Sequence, residues 1–281
     1  MKLFLLVTII LIAFAGNSLL NRLALASGAI GAEAFTFIRI ASAAVVLGLI
    51  AAVSGQKINL RHNLLSGAFL FIYAICFSIA YLQIDAALGA LILFGVVQIT
   101  MFGGAVLSGE RPSKARWTAM VMGIIGLAIL VGPSSAQSNL GASLLMCVSG
   151  VSWGLFSLLG KKSSAPIGTM TSSFMVALLP AALFMFPNLE SMQHIAISGW
   201  VLALTSGIVT SGMGYALWYA VLPKLDASLA AIAQLMVPVI AAFGAVLFLK
   251  EQISMRFILA SILIVGAIMA SILWEKRGSL R

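Results

Sequence analysis

Residues 85–119 read DAALGALILFGVVQITMFGGAVLSGERPSKARWTA, and residues 226–260 read DASLAAIAQLMVPVIAAFGAVLFLKEQISMRFILA. Laid over one another at a spacing of 141 positions they align without a gap, with eleven of the 35 positions identical. Apolar sequence of low complexity produces chance identities, so the polar matches decide. Asp85 falls on Asp226, Glu110 on Glu251 and Ser113 on Ser254, in a chain with only seven acidic residues. Gly103 falls on Gly244 as well. The chain therefore carries an internal repeat.

Around this repeat the sequence is strongly apolar. Of 281 residues 62% are hydrophobic and 8% charged, with a mean hydropathy of +1.16. Soluble domains carry roughly 25% charged residues, so this chain lacks the polar surface that a water-exposed fold needs. One spanning helix takes about 20 apolar residues. Apolar runs are expected to form helices near 3–25, 34–54, 64–83, 86–108 and 117–132, then 141–160, 168–187, 198–221, 228–249 and 256–274. Turn chemistry or charge separates them, at Ser54-Gly55-Gln56-Lys57, Gly109-Glu110-Arg111-Pro112, Gly132-Pro133-Ser134-Ser135 and Pro187-Asn188. Lys2, the run from Leu3 and the tripeptide Ala24-Leu25-Ala26 look like a signal peptide, but the run is long enough to span and is read as the first helix.

The net charge of +9 does not point to nucleic acid, because the basic residues sit between apolar runs rather than along one face. Their distribution instead sets the topology. With the N-terminus cytoplasmic, the inner segments hold Lys2, Lys57, Arg61, Arg111, Lys114, Arg116, Lys161, Lys162, Lys224, Lys276, Arg277 and Arg281. The outer loops hold only Lys250 and Arg256, while Arg22 and Arg39 fall within helices. This split places both termini in the cytoplasm and requires an even number of spans. The expected fold is thus all-α and membrane-integral: ten transmembrane helices as two five-helix repeats, 1–135 and 136–281. Five is odd, so the halves insert with opposite orientation, as in secondary transporters whose substrate site lies between inverted repeats near the midplane.

The residues then resemble a family. Each half ends with an acidic residue after its fourth helix, a polar step and a fifth helix with small residues: Gly109-Glu110-Arg111-Pro112-Ser113 before Ala119 and Gly126, and Lys250-Glu251-Gln252-Ile253-Ser254 before Ala260 and Ala267. Helix one contains Ala15-Gly16-Asn17, helix six Trp153-Gly154 and helix two Phe37-Ile38-Arg39. Together these look like the ten-helix EamA-type branch of the drug/metabolite transporter superfamily, and within it most like the YddG-type aromatic amino-acid exporters. The second half departs from the first in lacking an arginine that corresponds to Arg39. The resemblance implies export of small metabolites or drugs across a bacterial inner membrane. It also implies a cavity surrounded by helices one to four and six to nine, with five and ten peripheral.

A site in a bilayer needs polar or aromatic groups facing a protected cavity. Mid-helix polar residues are few: Asn17, Gln98 and Gln234, with Thr205, Thr210 and Ser211 in helix eight. Asn17 and Gln98 are the first candidates for hydrogen-bonding a substrate. Tyr73, Phe77 and Tyr81 recur every four residues on helix three, and Tyr215, Trp218 and Tyr219 share a face of helix eight. With Trp153 and Met101 they would line a cavity suited to a planar or amphipathic solute; the competing reading places Tyr81, Trp218 and Tyr219 in interfacial belts. The candidate substrate-binding set is Asn17, Tyr73, Phe77, Tyr81, Gln98, Met101, Trp153, Tyr215, Trp218 and Gln234. Pro180 and Pro238 interrupt helices seven and nine, and Gly150 and Gly154 offer a close helix contact.

No Asp, Glu or Lys lies at the centre of any expected helix. A membrane-embedded carboxylate relay is thereby missing, and so are the cationic partners that phosphorylated cargo demands. Arg39, about five residues inside the outer end of helix two, could pair with a substrate carboxylate, but snorkelling or pairing with Glu33 is the preferred reading. The expected cargo is neutral or zwitterionic: aromatic or hydrophobic amino acids, with a multidrug or other metabolite exporter of the same fold as the alternative. No cofactor or metal is expected, since Cys76 and Cys147 lie in apolar runs and His62 and His194 in distant loops. An intramembrane enzyme lacks its constellation, because Asp85 and Asp226 are expected on opposite sides. A channel lacks a polar ring. The expected partners are the small-molecule substrate and the bilayer, with the oligomeric state left open and a monomer compatible with the sequence.

Overall fold

The computed structural model describes residues 2–131, 139–252 and 255–278. The expected break at 132–135, the junction at 135/136, Ser254 and Arg281 lie outside these residues. Among the described residues all regular structure is helical. Ten helices follow in chain order: α1 (Lys2–Ala26), α2 (Ala32–Val53), α3 (Leu64–Ala80), α4 (Ala86–Leu107), α5 (Lys114–Val131), α6 (Leu140–Lys161), α7 (Pro166–Met185), α8 (Ile197–Lys224), α9 (Ala227–Leu249) and α10 (Met255–Gly278). Counting the 3-10 turns that flank α3 and α7, eight of them (α1–α4 and α6–α9) are long and apolar enough to cross a membrane. In α10 the apolar stretch runs over Met255–Ala267.

Local sequence explains the boundaries. Asn139 caps α6 by accepting from the backbone N–H of Gly141 (3.0 Å) and Ala142 (3.3 Å). Pro166 opens α7, where a missing N–H costs nothing. Pro238 cannot donate to the carbonyl of Gln234, and α9 is interrupted there, at Leu235. Helix α8 widens into a π-helical stretch over Ser206–Met213.

α1–α4 and α6–α9 enclose one continuous core. α6 runs along α3 and α4, α2 along α7 and α8, and α1 along α8 and α9. Gly150 and Gly154 allow the α4–α6 approach: a side chain at either would meet the Leu93 carbonyl or Thr100 within 2.8 Å. α5 and α10 pack on each other outside α4 and α9, over a separate core of Leu91, Phe102, Ala119, Met120, Phe257 and Ile264. The outward surface is apolar, as in the row Val45, Leu49 and Val53, the last 92% exposed. Such a belt is costly in water and favourable in lipid.

Candidate functional site

The ends of the bundle carry matching clasps. Asp85 and Asp226 occupy the N-cap positions of α4 and α9 in extended conformation, yet neither side chain caps its own helix. A glutamate from the other half does so. Glu110 accepts from the N–H of Ala227 (3.1 Å) and Ser228 (3.3 Å) and from the Ser228 hydroxyl. Glu251 accepts from the N–H of Ala86 (3.0 Å) and Ala87 (3.5 Å). Each carboxylate thus sits on a helix N-terminus, where orphan donors and the dipole favour negative charge. The freed aspartates turn to arginines, Arg116 to Asp226 at 2.8 Å and Arg22 to Asp85 at 3.3 Å. α4 and α9 therefore run antiparallel, with one clasp at each end. The Glu110 end carries Lys161 and Lys162, and the Lys161 ammonium donates to the Leu225 carbonyl. A crevice of about 630 Å³ opens at that end between α3, α4 and α6.

Midway between the clasps lies a buried polar cluster. Asn17 of α1 donates to the hydroxyls of Tyr73 (3.1 Å) and Tyr215 (3.2 Å), which lie 2.8 Å apart. Its carbonyl oxygen accepts from Ser206 (2.7 Å) and Thr210 (3.2 Å) in the π-helical stretch of α8. Arg39 of α2 is 1% exposed. Its Nη2 donates to Tyr215 (2.6 Å) and Tyr73 (3.0 Å), and its Nε to Ser211 (2.8 Å). Gly207 makes this contact possible, because a Cβ there would meet the Arg39 carbonyl at 2.6 Å. One turn nearer the Glu251 end, Asn21 and Thr36 both donate to Ser78 (3.0 and 2.9 Å).

Aromatic rings surround the cluster. Trp153 lies with its centroid 4.6 Å from Tyr215, 5.0 Å from Tyr73 and, edge-on, 5.2 Å from Phe14. Its indole N–H donates to Gln234 (2.9 Å), whose amide reaches Met101 Sδ and the Ala230 carbonyl. A small void of about 10 Å³, room for about one water, remains between Phe14, Asn17, Ser18, Tyr73, Phe94 and Trp153. It is sealed on both sides. Toward the lysine-rich end stand Phe156 and Tyr219, 5.0 Å apart, with the Tyr219 hydroxyl bound to the Phe156 carbonyl. Toward the other end stand Phe77 and Tyr81, edge-to-face at 4.6 Å.

Of the expected site residues, Asn17, Tyr73, Phe77, Trp153 and Tyr215 line this void. Gln234 and Met101 stand behind Trp153, Tyr81 behind Phe77, and Trp218 against Phe14 at 5.6 Å with its indole N–H on Ser157. Tyr81, Trp218 and Tyr219 are fully buried, not interfacial. Gln98 is not brought to the cluster. It faces α5, within 2.5 Å of where a Cβ of Gly123 would stand, and its amide has no hydrogen-bond partner among the described residues. Arg39 neither snorkels nor pairs with Glu33; it belongs to the cluster. Phe14, Phe94 and Ser206 carried no signal in the sequence, being apolar or small residues in apolar runs.

An apolar outer belt around a buried core of aromatic and polar side chains defines the class, a multi-pass membrane protein. Residues 140–273 match the EamA-like transporter family. The chain is 39% identical to an uncharacterized protein of Pseudomonas aeruginosa, over 94% of this chain and 92% of that one. It is 24% identical to a probable amino-acid metabolite efflux pump of Salmonella typhimurium, over 70% of each chain. To the threonine/homoserine exporter RhtA of the same species it is 27% identical, over 62% of this chain and 59% of that one. A crystal structure 18% identical in sequence shares the fold, with a TM-score of 0.76 over 97% of this chain and 98% of the other. The chain belongs to the EamA-like transporter family of the drug/metabolite transporter superfamily, and it is a transporter rather than an enzyme.

Proposed function

We propose that this transporter exports aromatic and other hydrophobic amino acids across a bacterial inner membrane, by alternating access between two inverted five-helix halves with both termini cytoplasmic. The observation that carries this reading is the chamber itself. Tyr73 and Trp153, one from each half, meet Asn17 and Tyr215 around a void that hydrogen-bonding and aromatic groups share. Polar groups take an amino acid's backbone, and the rings of Phe14, Phe94 and Trp153 take its side chain by stacking and edge contacts. The void is far smaller than an amino acid, so cargo enters only when the halves spread.

The clasps suit that movement. Breaking the Glu110 clasp frees the N-terminus of α9 and opens the lysine-rich, cytoplasmic end, while the Glu251 clasp keeps the other end shut. Reversing the two exposes the chamber to the outside. Relatives described as an amino-acid metabolite efflux pump and a threonine/homoserine exporter support amino acids as the cargo class and outward as the direction. The test is growth of cells overproducing the chain on inhibitory concentrations of p-fluorophenylalanine, with retention of labelled phenylalanine measured beside it. The proposal requires improved growth and faster loss of label than in cells producing Trp153→Ala. Equal growth and equal retention refute it.

A further inference from the structure

We infer that Arg39 is the anchor for the cargo's carboxylate, which would restrict the transporter to solutes that join one acid group to an apolar body. The inference rests on the exporter reading above and names the chemistry its chamber selects. Arg39 is a cation in the middle of the bundle, and among the described residues its hydrogen-bond partners are neutral hydroxyls. Among the described residues the ion pairs of arginines with carboxylates lie at the clasps, with Arg22 and Arg116. An arginine without a counter-charge at membrane depth is costly. Hydroxyls offset that cost only in part, because they bring dipoles rather than a counter-charge.

The guanidinium is also incomplete. Its Nη1 is buried with no hydrogen-bond partner among the described residues. The central carbon lies over the rings of Tyr73 (5.2 Å) and Phe77 (5.4 Å), both of which line the void. A carboxylate arriving there meets Nη1 and Nη2 as a planar fork, the geometry that guanidinium groups bind best. The Tyr73 and Tyr215 hydroxyls, which now accept from Nη2, donate one proton between themselves and hold the other to offer to the incoming oxygens.

A second set of unpartnered groups lies one turn away on α1. The Ser18 hydroxyl, which lines the void, and the Asn21 carbonyl oxygen are both buried without a hydrogen-bond partner among the described residues. They supply acceptors for an ammonium beside the bound acid. A buried charge held by two of the lining tyrosines and an orphan hydroxyl in the lining, with two more orphan atoms outside it, describe a chamber completed by its ligand.

The experiment compares acids with their neutral or cationic counterparts on the full-length protein, so that it does not depend on any variant folding. Competition with labelled phenylalanine, in binding and in proteoliposome flux, is measured for phenylalanine, 3-phenylpropionate, phenylalanine amide and phenethylamine. An ion-assisted hydrogen bond is worth about 1.5–3 kcal/mol, so the acids should compete roughly ten- to a hundredfold better than the amide and amine. Arg39→Gln should abolish that ratio and Arg39→Lys should keep part of it. Equal competition by the amide in the unaltered protein overturns the assignment, and if flux persists the exporter reading stands without it. Acid-selective binding with no flux keeps Arg39 as the anchor and refutes the exporter. No binding and no flux for any probe refutes both.

Discussion

Replacing Tyr215 by Phe removes one oxygen and leaves the ring in place. That oxygen accepts from Arg39 at 2.6 Å, accepts from Asn17 at 3.2 Å and shares a proton with Tyr73 at 2.8 Å. Hydrogen bonds to charged groups contribute about 1.5–3 kcal/mol and neutral ones about 0.5–1.5 kcal/mol. Inside membrane bundles the measured mean is lower, near 0.6 kcal/mol, because the unfolded reference also finds partners. Arg39 keeps Tyr73 and Ser211, so the guanidinium is depleted rather than stripped. The expected loss is about 2 kcal/mol, most of it from the charged bond. Tyr219→Phe is the internal control, since its hydroxyl makes one neutral bond, to the Phe156 carbonyl at 2.8 Å. That loss should stay near 0.5 kcal/mol. At about 2–4 °C per kcal/mol for chains of comparable size, thermal unfolding in detergent should fall by about 4–8 °C for Tyr215→Phe and about 1–2 °C for Tyr219→Phe. Equal shifts would show that the Arg39 bond contributes nothing special, and the reasoning about the cluster would fail.

Gly207→Ala places a methyl against the Arg39 backbone, so α8 must withdraw from α2; transport should fall at least as much as in Tyr215→Phe, and unchanged flux would contradict the packing argument. Gln98→Leu exchanges an amide without partners for an apolar side chain of similar size, so melting temperature should hold or rise with flux retained. Loss of flux there would return Gln98 to the site. Glu251, half-buried and beside Asp85, holds its proton above the ordinary value of 4.5, burial being the larger cause. Since folding raises its pKa, its stabilising contribution is complete below 4.5 and fades as pH rises through the folded-state value. The melting-temperature advantage of the unaltered protein over Glu251→Gln should therefore shrink from pH 4.5 upward, and an advantage that grows with pH would contradict the assignment.

Much of this architecture was legible because the bilayer imposes it. Apolar run length and turn chemistry placed α1–α4 and α6–α9 within a few residues, and four-residue spacing put Tyr73, Phe77 and Tyr81 on one face. The Asp85/Asp226 and Glu110/Glu251 matches marked the clasps, but not that each glutamate caps the other half's helix, since that contact spans more than a hundred residues. Arg39 was misread because its distance from a helix end says nothing of the neighbour it faces. Gln98 stands outside the cluster for a reason the sequence does contain. It lies on the helical row of Leu91 and Phe102, the row that packs toward α5 and α10, and polarity was weighed there without the row. The π-helical widening of α8, which aims Ser206, Thr210 and Ser211 at Asn17 and Arg39, has no simple sequence marker.

Flux through purified protein bears most directly on the central proposal. Proteoliposomes containing the chain are supplied with labelled phenylalanine, tryptophan and alanine, with Tyr73→Ala and Trp153→Ala beside the unaltered protein. Saturable movement of phenylalanine and tryptophan, weak for alanine and lost in both variants, is the predicted result. Movement without aromatic preference, or variants that transport as well as the parent, would contradict the account of the chamber.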